Sequence, residues 1–274
     1  MSGMPQGFFN AADAPSSDLL KILLYGQSGT GKTTCACTAP DPVVALTELK
    51  SARRIKAMAK QLGVNVMIAP IETVADMDNF IAQMRNAPKT MTCVIDSASD
   101  YYRIIIDRIT SKRADPLPSK TDWGTIQSTM ERMLRDVVSL PHNVIVLSGQ
   151  KEYITKEMGE EVRRVVPAFS GDTMPMYIGK LFQAVGLTFK RMDQANGNVY
   201  HLVQFAGEDR ILSKLDDGLR NIEVPNVQLW MEAIGIAYKE GRHNYSFDYN
   251  PVTTNPEIMA PATIAEVSHV VKKQ

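Results

Sequence analysis

Cysteine is scarce: Cys35, Cys37 and Cys93 are the only three, too few and too uneven for a disulfide framework. With only four histidines, no Cys/His spacing fits a zinc site either. A reducing, cytoplasmic setting is the expectation, with Cys35 and Cys37 read as small thiols buried in a helix. No apolar run approaches the roughly 18 residues that a membrane helix needs. The opening stretch MSGMPQGFFNAADAPSSD has no basic start and no long apolar core, so it does not read as a secretory signal. Net charge is also missing, because 30 basic residues balance 30 acidic ones. That excludes a protein that coats nucleic acid by bulk charge, and any polyanion site must be a local patch. What is present is ordinary globular composition, 44% hydrophobic and 22% charged. A length of 274 residues fits one large domain or two small ones.

The chain divides into an arm (1–20), a core (21–242) and a tail (243–274). Within the core, short apolar runs alternate with amphipathic stretches. Strands are expected at Lys21–Tyr25, Val43–Thr47, Asn65–Ala69, Met91–Ile95 and Asn143–Leu147. Helices are expected at Thr33–Thr38, Lys50–Leu62, Thr73–Arg85 and Ala98–Ile109. Another follows Asp122, its expected N-cap, with a stripe of Trp123, Ile126, Met130, Met133, Leu134 and Val137. This βα alternation predicts a mostly parallel sheet with helices on both faces. Two hairpins, Tyr153–Val166 turning at Met158-Gly159 and Ala184–Phe205 turning at Asn196-Gly197, are expected to extend the sheet along an antiparallel edge. A last helix is expected at Val227–Lys239, with a short one near Ile264–Val271 inside a mobile tail.

The sharpest signal is Gly26-Gln27-Ser28-Gly29-Thr30-Gly31-Lys32-Thr33, which fits GxxxxGK(S/T) and lies between a strand and a helix. Its glycines let backbone N–H groups curl around a phosphate, and the helix N-terminus adds partial positive charge. Gly26 through Thr34 is therefore the candidate ATP-binding segment. Lys32 would reach the β- and γ-phosphates, and the Thr33 hydroxyl would ligate Mg²⁺. Asp96 ends an apolar strand 64 residues after Lys32 and is the candidate second metal carboxylate. Capping the following helix is the other job open to it, although Ser97 or Ser99 could do that equally well. A guanine-nucleotide switch is not expected, because Asp96-Ser97-Ala98-Ser99 lacks the glycine and Gln150-Lys151-Glu152-Tyr153 lacks the base-reading Asp. Glu48 follows the strand Val43–Thr47, 16 residues after Lys32. At the carboxyl edge of a parallel sheet it could orient water for attack on the γ-phosphate, or it could simply be a solvent-exposed helix start.

The ordered set GQSGTGKT, Glu48, VIDS at Val94–Ser97, the Trp123 helix, VLSGQ ending at Gln150 and GEDR at Gly207–Arg210 resembles the RecA-like P-loop NTPases. It is most similar to the compact phage-encoded single-strand annealing ATPases. The resemblance runs from residue 21 to about 221. It implies a RecA-like α/β fold, a Mg-ATP-dependent ATPase acting on single-stranded DNA in recombination, and a ring or filament of identical subunits. It further implies Glu48 as hydrolytic base, Gln150 as γ-phosphate sensor, and Arg210, with Lys214 nearby, reaching a neighbour's ATP. A single-strand DNA-binding protein is a further implied partner. The arm Phe8-Phe9-Asn10-Ala11-Ala12 contains the Phe-x-x-Ala pattern with which such subunits dock on one another.

Two departures bear on DNA. No large N-terminal domain precedes the core, and Lys151–Asp172 holds four basic residues against five acidic ones. The better DNA candidate is Tyr101–Thr121, net +3, where Lys112, Arg113 and Lys120 lie in or beside a proline-rich loop. The Lys50–Lys60 helix face is net +5. Either could be only a solvated face. Two rival functions stay open: a P-loop motor or loader acting through a protein partner, and an ATP-gated assembly protein with negligible turnover.

Overall fold

The run KILLYG forms the central strand β1 (Lys21–Gly26), buried along its whole length. A strand covered on both faces needs no polar alternation, which is why the run is continuously apolar. The computed structural model describes residues 19–111, 117–169, 173–216, 218–236, 256 and 259–267. Parallel neighbours of the same kind are β2 (Pro42–Leu46), β4 (Thr92–Asp96) and β5 (Asn143–Ser148), with β3 (Met67–Pro70) as a largely exposed edge. On the far side of β1 lie β8 (Ala184–Met192), β9 (Val199–Gln204) and β10 (Ile222–Glu223). The eight-stranded sheet has the order β10-β9-β8-β1-β5-β4-β2-β3. Strands β8 through β3 run parallel, and β9 is antiparallel to both β8 and β10.

Alternate residues of β1 feed two cores, as the two-residue period of a strand requires. Leu23 and Tyr25 pack with α3 (Val74–Arg85), α4 (Ala98–Thr110), α5 (Lys120–Val138) and α6 (Thr173–Gly179). Ile22 and Leu24 pack with α1 (Lys32–Ala36), α2 (Ala52–Leu62) and α7 (Val227–Ala233). The expected stripe of α5 is buried from Ile126 to Val137, with Trp123 only partly covered. Among the described residues no helix is long and apolar enough to cross a membrane. Because β1, β5, β4 and β2 run parallel, the ends of β1, β4 and β2 open at one edge of the sheet, where ligands of open α/β folds bind.

Four expectations need correction. The first hairpin, β6 (Gln150–Glu157) and β7 (Glu160–Pro167), does not extend the main sheet but forms a separate two-stranded one. Its strands pair with each other from Gln150↔Pro167 to Glu157↔Glu160, and its outer half is largely charged, with Ile154 and Met158 exposed. In the second hairpin β8 is not an edge: it pairs parallel with β1 from Ile22↔Ala184 to Gly26↔Thr188, and only β9 and β10 extend the sheet antiparallel. Its turn is the loop 193–198, with Gly197 at φ 73°. Helix α5 starts earlier than expected. Ser119, not Asp122, is the N-cap, and Asp122 returns a hydrogen bond to the Ser119 N–H at 2.7 Å as the second half of a capping box. Helix α7 stops at Ala233 because Gly235 takes a left-handed φ of 75°.

Residues 259–267, read from the sequence as part of a mobile tail, lie against the core. They end in the short helix α8 (Ile264–Val267), and Ala262 and Val267 are buried. The Phe8–Ala12 arm falls outside the described residues.

Candidate active site

The glycine-rich loop leaves β1 at Gly26 and enters α1 through Gly31, whose φ of 95° only glycine adopts readily. Strand β8 forms the wall behind it. The Thr30 and Thr188 hydroxyls are 2.6 Å apart, and His201 of β9 places Nδ1 2.9 Å from the Thr30 carbonyl, so Nδ1 carries the donated proton. The wall leaves no room for a side chain at Gly26. A Cβ there would lie 2.4 Å from both the carbonyl and the hydroxyl oxygen of Thr188. Gly26→Ala should therefore push β8 from β1 and cost about 1–3 kcal/mol. A melting temperature equal to wild type would show that the wall yields freely.

The Lys32 ammonium donates to the Gly26 and Gln27 carbonyls at 2.8 and 2.7 Å. Burial lowers its pKa to about 8, against the pull of Asp96 and Asp100. The Thr33 hydroxyl donates to Asp96 Oδ2 at 2.8 Å. Burial raises the Asp96 pKa; Thr33 and Lys32 oppose that, while Asp100 and Glu48 add to it. Asp96 does not cap the next helix. Ser97 does, accepting from the Asp100 N–H, and the carboxylate is left facing the loop. Thr47 locks the neighbouring strand end: its N–H donates to the Asp96 carbonyl at 2.9 Å, and its hydroxyl accepts from the Ser97 N–H at 2.9 Å. Glu48 follows immediately and is exposed, and its carboxylate receives only a 3.4 Å contact from the Ser51 hydroxyl. A hydroxyl beside one carboxylate is the hard-oxygen donor set that suits Mg²⁺ arriving with phosphates.

Gln150 opens β6 next to this edge. Gly149, just before it, donates its N–H to Ser99 at 3.1 Å, and Ser99 is 2.9 Å from Ser97, so hydrogen bonds link the residue after Asp96 to the residue before Gln150. A cavity of about 220 Å³ runs between Gln27, Thr30, Gln150, Lys190 and Val267. The exposed residues Ser28, Gly29 and Thr34 complete the loop's open side.

The structure thus brings Lys32, Thr33, Glu48, Asp96 and Gln150 to one edge. Arg210 is elsewhere: it is exposed in a separate cleft with Arg164, and its carbonyl accepts from the Val165 N–H at 2.8 Å. Lys214 is tied down, its ammonium donating to the Phe182 carbonyl at 2.5 Å. Lys120 lies exposed in the first turn of α5, while Lys112 and Arg113 fall outside the described residues. Sequence reasoning missed Thr47, Thr188, Lys190 and His201. Only the pairing of β8 with β1, and of Lys190 with His201 across β8 and β9, brings the last three to the loop.

The family model described as an AAA domain, AAA_24, matches residues 19–214. The chain belongs to this family. It is an AAA-type P-loop ATPase domain, its sheet mostly parallel with an antiparallel extension. Similar solved structures include the flagellar accessory protein FlaH from Methanocaldococcus jannaschii, at 14% identity and TM-score 0.36 over 68% of this chain and 78% of that one. An ATPase from the type III secretion system of pathogenic bacteria follows at 13% identity and TM-score 0.40, over 64% of this chain and 51% of that one. The assembled ATPase EscN of the enteropathogenic E. coli type III secretion system gives 14% identity and TM-score 0.38, over 62% and 43%. This AAA domain therefore spans about half or less of the two secretion ATPases. No curated protein matches the chain.

Proposed function

We propose that this AAA domain binds and hydrolyses Mg-ATP at the Lys32–Asp96 site and uses the cycle to act on single-stranded DNA in recombination, as a cytoplasmic homo-oligomer. The observation that carries the ATPase reading is the 2.8 Å contact between Thr33 and Asp96, with exposed Glu48 at the next strand end. Lys32 exchanges the Gly26 and Gln27 carbonyls for phosphate oxygens. Thr33 and Asp96 would hold Mg²⁺, which would neutralise phosphate charge. Glu48, which among the described residues meets only the Ser51 hydroxyl, orients and deprotonates the attacking water. Gln150 reads the γ-phosphate. Arg210 lies apart from its own loop, a placement that suits a cation supplied to a neighbour's site.

The DNA part rests on charge and resemblance. Lys50, Arg53, Arg54, Lys56 and Lys60 are exposed on or just before α2, and none forms an ion pair with another described residue. Lys112, Arg113 and Lys120 are the other proposed phosphate contacts. The test is the steady-state ATPase rate with and without single-stranded DNA, with particle size followed by light scattering. Several-fold stimulation together with larger particles is expected. Stimulation by a protein partner without DNA would replace this reading with a loader. Negligible turnover under all conditions would replace it with an ATP-gated assembly protein.

A further inference from the structure

The amides of Gln27 and Gln150 both donate to one acceptor, the main-chain carbonyl of Val267, at 2.9 and 2.7 Å. One donor belongs to the phosphate loop and the other is the proposed γ-phosphate sensor, so the chain's own C-terminal segment holds the two groups that ATP would need. The segment is built to sit there. Arg191 of β8 donates to Glu266 at 2.9 Å and to the Ala260 carbonyl at 2.6 Å. The Ala262 N–H donates to the buried Gln204 side chain at 2.7 Å, and Ala262 and Val267 are only 1% and 3% exposed. Lys32 is likewise satisfied by loop carbonyls. The loop is thus closed on itself, with a carbonyl oxygen doing the accepting that a phosphate oxygen could do.

We propose that residues 259–267 form an autoinhibitory strap, anchored through Arg191 and Gln204, whose tip at Val267 competes with ATP for Gln27 and Gln150. Nucleotide binding releases the tip, and a docked tip lowers apparent nucleotide affinity by the fraction of time it occupies the site. Reciprocity then requires that ATP weaken strap docking by the same factor. The strap would connect the nucleotide state to the C-terminal end of the chain. The inference rests on the proposed ATP site.

The full chain tests it. Glu266→Lys sets a like charge against Arg191 on an exposed rim and should loosen the strap without disturbing the core. ATP affinity, read by titration of a fluorescent ATP analogue, should tighten about tenfold, as for a strap docked about nine-tenths of the time, and Glu266→Gln should fall between. In the wild-type protein, saturating ATP should speed hydrogen exchange at the Glu266 amide near the tip, while the Ala262 amide, held by the Gln204 anchor, should stay protected. Unchanged or weaker ATP affinity in Glu266→Lys, or exchange slowed by ATP, would overturn the proposal and make the segment a fixed wall of the site. If wild type itself bound no ATP, or bound it equally well without Lys32, the failure would be that of the ATP site and the strap would fall with it.

Discussion

Lys32→Ala is expected to weaken ATP binding severely while the domain stays folded. The lost partner is a charge-assisted donor held in a largely buried site. Truncating such a group costs about 2–5 kcal/mol of binding, roughly 30- to 5,000-fold in Kd. The folded state loses little by comparison. In the structure the ammonium bridges two carbonyls of its own loop, Gly26 and Gln27, and burial presses it towards the neutral form with a pKa of about 8. Removing a desolvated charge offsets the two hydrogen bonds given up, so the melting temperature should move by no more than a few degrees. Calorimetric titration with Mg-ATP, paired with a thermal melt, checks both halves. A Kd within threefold of wild type would show that Lys32 does not hold phosphate.

That lysine was legible from sequence because its motif is local. Eight consecutive residues between a strand and a helix specify a loop whose geometry needs no distant information. Asp96 and Glu48 were legible for a related reason: each ends an apolar run, and a parallel sheet puts such ends at one edge. The partners that fix these groups were not legible. Thr188, His201 and Lys190 reach the loop because β8 pairs parallel with β1, although β8 and β9 also form a hairpin with each other. Alternation of polar and apolar residues shows a hairpin but not which strand it joins, so β8 was expected at an antiparallel edge. The β6–β7 ribbon shows the same limit, since its pattern gives the hairpin but not whether that hairpin joins the main sheet. The tail was misread because 259–267 has no long periodic run. It is held by a buried glutamine, an arginine on β8 and two buried small or branched side chains, contacts spanning some 60 to 75 residues of chain. Side-chain capping was half legible: Asp122 is at the helix start as expected, but in the reciprocal position of a box that opens at Ser119.

Glu48→Gln should separate chemistry from binding. In the structure the Glu48 carboxylate is exposed and receives only a 3.4 Å contact from Ser51, so its replacement should change stability by no more than about 0.5 kcal/mol. It makes no contact with Lys32 or Thr33, so ATP affinity should stay within a few-fold of wild type. A glutamine can still accept a hydrogen bond from water but cannot take its proton. Turnover should then fall by about two to four orders of magnitude, the usual contribution of a general base. Asp96→Asn should behave differently. That carboxylate accepts from the Thr33 hydroxyl and sits beside Lys32, so its loss should raise the Mg²⁺ concentration needed for half-maximal activity. Glu48 also bears on Asp96 from a distance, because its negative charge helps hold the Asp96 pKa up. Single-turnover hydrolysis measured against Mg²⁺ separates the two variants. A slow chemical step with normal ATP affinity is the expected signature of Glu48→Gln. Wild-type turnover in that variant would take the base from Glu48 and leave the exposed carboxylate as no more than the start of the 3₁₀ turn at Leu49–Ser51.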